Sequence, residues 1–191
     1  MANVSRINGF QAVKYQGAAP TNLRVTTYAI LAADATAVGV GDLVKLAGTA
    51  DANGVPGVTK AAVGDAVVGA VCEFVPDYSN LNLSYRPGST LRYVQVWDDP
   101  NEVFQCQVSG TFALADIGLN ANHADAGVST LTGLSGETLD GSTKATTATL
   151  TLKTIAFMQG SANEPGNANA KLLVRINNHQ LAAGTGTLGV A

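Results

Sequence analysis

Two short runs place an aspartate directly after a glycine and before an apolar stretch: "GDLVKL" from Gly41 to Leu46 and "GDAVVGAV" from Gly64 to Val71. Two carboxylates, Asp42 and Asp65, can divide general acid and general base work when their surroundings separate their pKa values and a substrate lies between them. Here the surroundings are the same, and identical contexts argue for identical structural jobs. Glycine admits a positive φ and the following aspartate accepts from nearby backbone N–H groups, so the pattern predicts one turn, used twice, leading into two strands. Between them, "ADANGVPGV" predicts a hairpin tip with positive φ angles at Asn53 and Gly54.

Other chemistry-bearing patterns fall short of a site. "TADANG" resembles the start of a calcium loop, with Asp51, Asn53 and Gly54 in the third, fifth and sixth places, but the first place holds Thr49 and the twelfth, which requires a bidentate Glu, holds Lys60. Gly184, Gly186 and Gly189 sit at dinucleotide-loop spacing with no helix to follow. The two histidines, His123 and His179, have neither close spacing nor a neighbouring cysteine, and no serine stands in a G-x-S-x-G elbow. The sequence therefore predicts no catalytic residue, no metal site and no cofactor. Cys72 and Cys106 lie in apolar or alternating runs, as small buried thiols or, if their strands are neighbours, as a disulfide.

The elements around these residues read as strands almost throughout. Residues 23–32, 43–47, 66–75, 91–98, 102–109, 148–157 and 171–178 are rich in β-branched and aromatic residues and mostly bounded by Gly, Pro, Asn or Asp. Only Phe112 to His123 suits a short helix or helical turn. The fold expected is all-β: a jelly-roll-like antiparallel sandwich or a small β-barrel. Residues 1–22 read as an extended N-terminal arm, broken by Gly9, Gly17 and Pro20, and residues 23–191 as a single β-domain. A long Ser/Thr/Gly-rich insertion loop spans 123–147 of that domain.

Charge divides the chain unevenly. Only 13% of residues are charged, against about 25% in an average domain, which suits a molecule packed against neighbours. Residues 1–33 carry Arg6, Lys14 and Arg24 and no acid; the rest holds the other 8 basic residues and all 14 acidic ones, a net of −6. Three spread cations are too few for a nucleic-acid footprint, so the arm points to an acidic protein partner. No basic-then-apolar leader and no apolar run near the ~18 residues of a membrane span is present, so the expectation is synthesis in a cytoplasm and no membrane partner.

The runs "GDLVKLAGTADANGVPGVTKAAVGDAVVGAV", "YRPGSTLRYVQVWDDPNEVFQCQ", "GLSGETLD" and "LLVRINNHQL" together resemble the head decoration, or cement, proteins of tailed bacteriophages, and the resemblance covers most of the chain. It implies an all-β virion protein on the outer capsid surface, often a homotrimer, that stabilises the capsid by bridging neighbouring subunits of the major capsid protein. On that reading the arm supplies the capsid-binding residues: Arg6, Lys14 and Arg24 as charge-assisted contacts, Phe10 and Tyr15 as aromatic anchors. Removal of residues 1–20 would then leave a folded β-domain. The alternative is a carbohydrate- or receptor-binding β-sandwich on a phage surface or fibre, for which Trp97, beside Asp98, Asp99 and Asn101, has the makeup of a sugar platform; as plain structure, Trp97 ends a core strand and "DDPN" is the turn after it.

Overall fold

The computed structural model describes residues 3–16, 25–182 and 186. Its strands, in chain order, are β1 (Gln11–Tyr15), β2 (Thr26–Ile30), β3 (Leu43–Ala50), β4 (Pro56–Lys60), β5 (Gly69–Phe74) and β6 (Arg92–Trp97). They continue with β7 (Glu102–Ser109), β8 (Asn120–Ala121), β9 (His123–Ala124), β10 (Thr138–Asp140), β11 (Leu152–Phe157) and β12 (Lys171–Ile176). Helix is limited, among the described residues, to single 3-10 turns at Leu114–Asp116 and Gly141–Thr143. The chain is all-β, as its sequence pattern requires.

The strands form two bodies. β2, β4, β3, β5 and β6 close into a barrel in which β2 and β4 run parallel and the other pairs antiparallel. The remaining strands make a sheet in the order β8-β11-β12-β7-β10-β9. β7 is its spine: one edge pairs with β12, while the other is shared between β1 over Glu102 to Gln105 and β10 over Val108 and Ser109.

Two apolar cores explain why the barrel strands lack clean alternation. Tyr28, Ile30, Val38, Val44, Val58, Val68, Val71, Val94 and Val96 form the smaller core among the barrel strands. Their chain neighbours Leu43, Val67 and Ala70 belong instead to the larger core, together with Phe104, Val108, Leu139, Leu152, Leu172 and Val174 of the sheet. Adjacent residues thus face different cores, and a strand covered on both sides must be apolar at successive positions. That is the content of "AVVGAV".

Buried arginine holds the barrel's long connections. The Arg86 side chain is fully buried, and its guanidinium donates to the carbonyls of Thr90 (2.8 Å), Thr36 (2.5 Å), Leu31 (2.7 Å) and Asp34 (2.7 Å). Arg92 donates to the carbonyls of Leu83 (3.1 Å), Tyr85 (2.9 Å) and Val75 (3.0 Å) and stands over the Phe74 ring. Five donors in a rigid fork let one side chain satisfy several loop carbonyls that would otherwise be buried unpaired.

Three expectations need correction. Residues 3–16 are extended but do not project: β1 is a strand of the sheet, the Phe10 N–H donates to Gly41 O at 2.9 Å, and the Phe10 side chain is 0% exposed inside the larger core. Removing residues 1–20 would therefore take out a core side chain and a strand. Residues 123–147 are no appended loop, since β9 and β10 lie in the sheet, Leu139 is in the core, and Val40 bridges to Leu134. At the β3–β4 tip only Gly54 has positive φ (82°), because Asp51 accepts from the N–H groups of Asn53 (2.9 Å) and Val55 (2.8 Å) and closes a three-residue loop whose last residue alone is left-handed.

Phe10→Ala should cost about 3–5 kcal/mol by cavity formation, read from the urea midpoint, whereas Val13→Ala, on an exposed position of β1, should stay within about 0.5 kcal/mol. Equal effects of the two substitutions would refute the pinned position of Phe10.

Candidate functional site

The two Gly-Asp turns are built alike. The Asp42 N–H donates to Gly39 O (3.2 Å) while its carboxylate accepts from the Gly39 N–H (2.7 Å); Asp65 does the same with Ala62 (3.0 and 2.8 Å). Gly41 (φ 90°) and Gly64 (φ 89°) supply the left-handed residue before each aspartate. The turns then diverge in what covers them. Asp65 is part-exposed and pairs with Lys45 Nζ at 2.7 Å; that hydrogen bond above all keeps its carboxyl below the usual range.

Asp42 is fully buried and belongs to a cluster at the junction of barrel and sheet. Lys60 Nζ, at the end of β4, lies 3.2 Å from Asp42 Oδ1, 2.8 Å from Asp125 Oδ1 and 3.7 Å from Glu137 Oε1. Glu137 Oε2 accepts the N–H of Leu43 at 2.9 Å, across from one body to the other. Burial raises the pKa of Asp42 more than Lys60 lowers it, and burial with the Asp42 charge drives that of Glu137 well up. Burial opposes the Lys60 ammonium, yet the three surrounding carboxyls outweigh it and hold its pKa above the ordinary lysine value. The sequence singled out Asp42 but paired it with Asp65. Its real neighbours lie far along the chain, and the one local sign was a lone Glu in "GLSGETLD", set two residues before Leu139.

A third buried acid, Glu102, begins β7 opposite Tyr15 of β1. It is fully buried, neither carboxyl oxygen has a hydrogen-bond partner, and burial followed by the charges of Asp99 and Asp98 pushes its pKa up to about 8. Both histidines are buried: burial takes His179 down to about 4 and lowers His123. Among the described residues no group of three or more His, Cys, Asp and Glu is placed to hold a metal ion. Cys72 and Cys106 are free thiols whose pKa values burial raises, the first to about 11, which leaves neither as a reactive thiolate near neutral pH.

The residues expected to bind a partner are distributed differently from the expectation. Arg6 and Lys14 are exposed, Tyr15 is half-buried, Phe10 is in the core, and Arg24 lies outside the described residues. The segment bearing them is strapped down at both ends. Asn3 exchanges hydrogen bonds with the Glu164 backbone (3.0 and 2.7 Å), the Arg6 N–H donates to Gln107 Oε1 (2.7 Å), and the Gln16 N–H donates to Asn101 O (2.9 Å). Val4, Ile7 and Val13 face outward along the same strap.

Sequence reasoning missed a second apolar surface. In the β5–β6 connection Tyr78 is 92% and Leu81 is 73% exposed, and they line two adjacent cavities of about 310 and 280 Å³ that share Arg92, Pro76 and Asp77. The only available signal was "DYSNLNLSY", two leucines and two tyrosines spaced among turn formers, which looks like any loop. Trp97, by contrast, is part-buried and packs against the larger core. No family model, curated protein or solved structure matches this chain.

The sign of the Glu102 effect is fixed. Its folded pKa (about 8) lies above the usual value of 4.5, so its contribution is full below about pH 4.5 and is lost as pH rises through 8. Glu102→Gln should match the wild type in acid and gain on it by up to about 1.4 kcal/mol per pH unit between about pH 5 and pH 8. Thermal unfolding across that range checks this; parallel curves would show that the carboxyl is ionised in the fold.

Proposed function

We propose that this protein is a structural component of a tailed-phage virion, made in the host cytoplasm and added to the outer capsid surface, where it bridges neighbouring major capsid protein subunits. The observation that carries the proposal is the strap over residues 3–16: extended, pinned by Phe10, and turning Val4, Arg6, Ile7, Val13 and Lys14 outward. A row of apolar and cationic groups without an acid suits an acidic protein face. Because the strap is already ordered on its own domain, docking it costs little conformational entropy, and pre-ordering is what turns modest contacts into affinity.

The role proposed is mechanical rather than enzymatic and involves neither nucleic acid nor membrane. Contacts spread over several capsid subunits reinforce one another, since each attached point makes the next effectively intramolecular. A low-charge surface favours close packing of copies about a symmetry axis, and a homotrimer is the assembly proposed. Relative to the expectation from sequence, the binding set changes: Phe10 becomes the pin that shapes the strap, and Arg6 and Lys14 keep the charge contacts.

The double variant Arg6→Glu, Lys14→Glu alters two exposed side chains and should leave stability within about 1 kcal/mol of wild type. Its occupancy on capsids of the encoding phage, measured by quantitative mass spectrometry of purified particles at several ionic strengths, should fall at least ~10-fold at low salt. Wild-type occupancy at every ionic strength, or absence of the chain from purified particles, would refute the proposal.

A further inference from the structure

We propose that Lys60 and Asp42 condense to an intramolecular amide, with Glu137 as the acid that assists the reaction and Asp125 as the residue that positions the amine. The inference rests on the buried cluster alone and not on the virion reading.

An unassisted amine and carboxylate in water do not condense, because both are charged and water competes. A protein removes both obstacles by holding the groups in contact, excluding water, and setting an acid beside the oxygen that becomes negative. Contact and burial are met here directly, and the acid is supplied by Glu137, whose Oε1 lies 3.7 Å from the same amine. Lys60 Nζ is 3.2 Å from Asp42 Oδ1, and the side chains of Lys60, Asp42 and Glu137 are 5%, 0% and 0% exposed. Asp42 is fixed through its other oxygen by the Gly39 N–H at 2.7 Å, and Glu137 by the Leu43 N–H at 2.9 Å. Neither Asp42 Oδ1 nor Glu137 Oε1 is engaged in a hydrogen bond of good geometry, so two buried, unsatisfied oxygens face one amine.

The two carboxyls nearest the amine differ in a way that assigns the acceptor. Asp125 is 39% exposed on its side chain, and its Oδ1 already accepts from Lys60 at 2.8 Å and from the Gly127 N–H at 2.7 Å. Burial works against its ionisation, but the hydrogen bonds from Lys60 and Gly127 hold its pKa below the usual range. An ionised carboxylate is a poor electrophile, so Asp125 orients the nitrogen. Asp42 is fully buried, which favours its neutral acid, and a neutral acid accepts a nucleophile.

The atoms balance without another reactant. A proton moves from Lys60 Nζ to Asp42 inside the cluster, leaving an amine and a carboxylic acid. The nitrogen lone pair attacks Cγ and a C–N bond forms. The Glu137 acid hydrogen stabilises the developing oxyanion, and the C–O bond then breaks as hydroxide leaves with a proton from nitrogen. Ammonium plus carboxylate has become amide plus water, and a buried ion pair with its desolvation cost has become a neutral group. The cross-link would close the chain from Asp42 to Lys60 and clamp β3 to β4, whose register already sets Val44 opposite Lys60.

The test is mass spectrometry of the full chain purified and denatured. The expected wild-type result is a mass lower by one water, no tryptic cleavage after Lys60, and a branched peptide joining Lys60 to Asp42. Lys60→Arg should restore the sequence mass, and Glu137→Gln should slow cross-linking at least ~10-fold. A wild-type digest with cleavage after Lys60 and an unmodified Asp42 peptide would overturn the proposal whatever the variants do, and a branch at Asp125 would overturn the assignment of the acceptor.

Discussion

One lysine side chain, Lys60, sits where the barrel and the sheet meet, and the arrangement of both bodies depends on the carboxyl groups that close around its nitrogen. Lys60 comes from the last residue of a barrel strand; Asp42 comes from the turn before another, while Asp125 and Glu137 flank the short strands β9 and β10 of the sheet. Taking any one of these groups out of water alone costs several kcal/mol, so each buried member needs the others in place. The cluster fixes the relative position of the two bodies more narrowly than apolar contact can, since grease slides and a polar cluster with defined hydrogen bonds does not.

Around that point the apolar packing is continuous. Leu43, Val67 and Ala70 leave the barrel wall to join the core of the sheet, and Phe10 reaches the same core from the strap. β3 and β5 each contribute one residue to the barrel's own interior and the next to its neighbour: Val44 and Val71 inward, Leu43 and Ala70 to the sheet. Its loops have no core of their own, and Arg86 and Arg92 take over the task of ordering them through backbone carbonyls. What remains outward is a surface poor in charge with exposed apolar residues on the strap and on the β5–β6 connection.

All seven segments read as strands from their β-branched and aromatic content contain strands, because long runs bounded by turn formers carry a strong local signal. β4 was hidden by Pro56 and Gly57 in "PGVTK", and β8, β9 and β10 are two or three residues long, below the reach of any periodicity. β1 was legible only as spaced apolar residues; which of them turned inward depended on the Gly41 carbonyl and the core beneath, and no local pattern distinguishes Phe10 from Val13. The Gly-Asp turns were legible because their chemistry is local. The cluster was not, since Lys60, Asp125 and Glu137 come together through pairings between distant segments. In isolation each is an ordinary surface-type residue, and only the fold makes it a buried one.

The central claim is that barrel and sheet form one cooperative unit joined at the Lys60 cluster and the shared core. Differential scanning calorimetry of the full chain tests it most directly. A single transition whose calorimetric and van't Hoff enthalpies agree is the predicted result. Two separate transitions, one for each body, would contradict it.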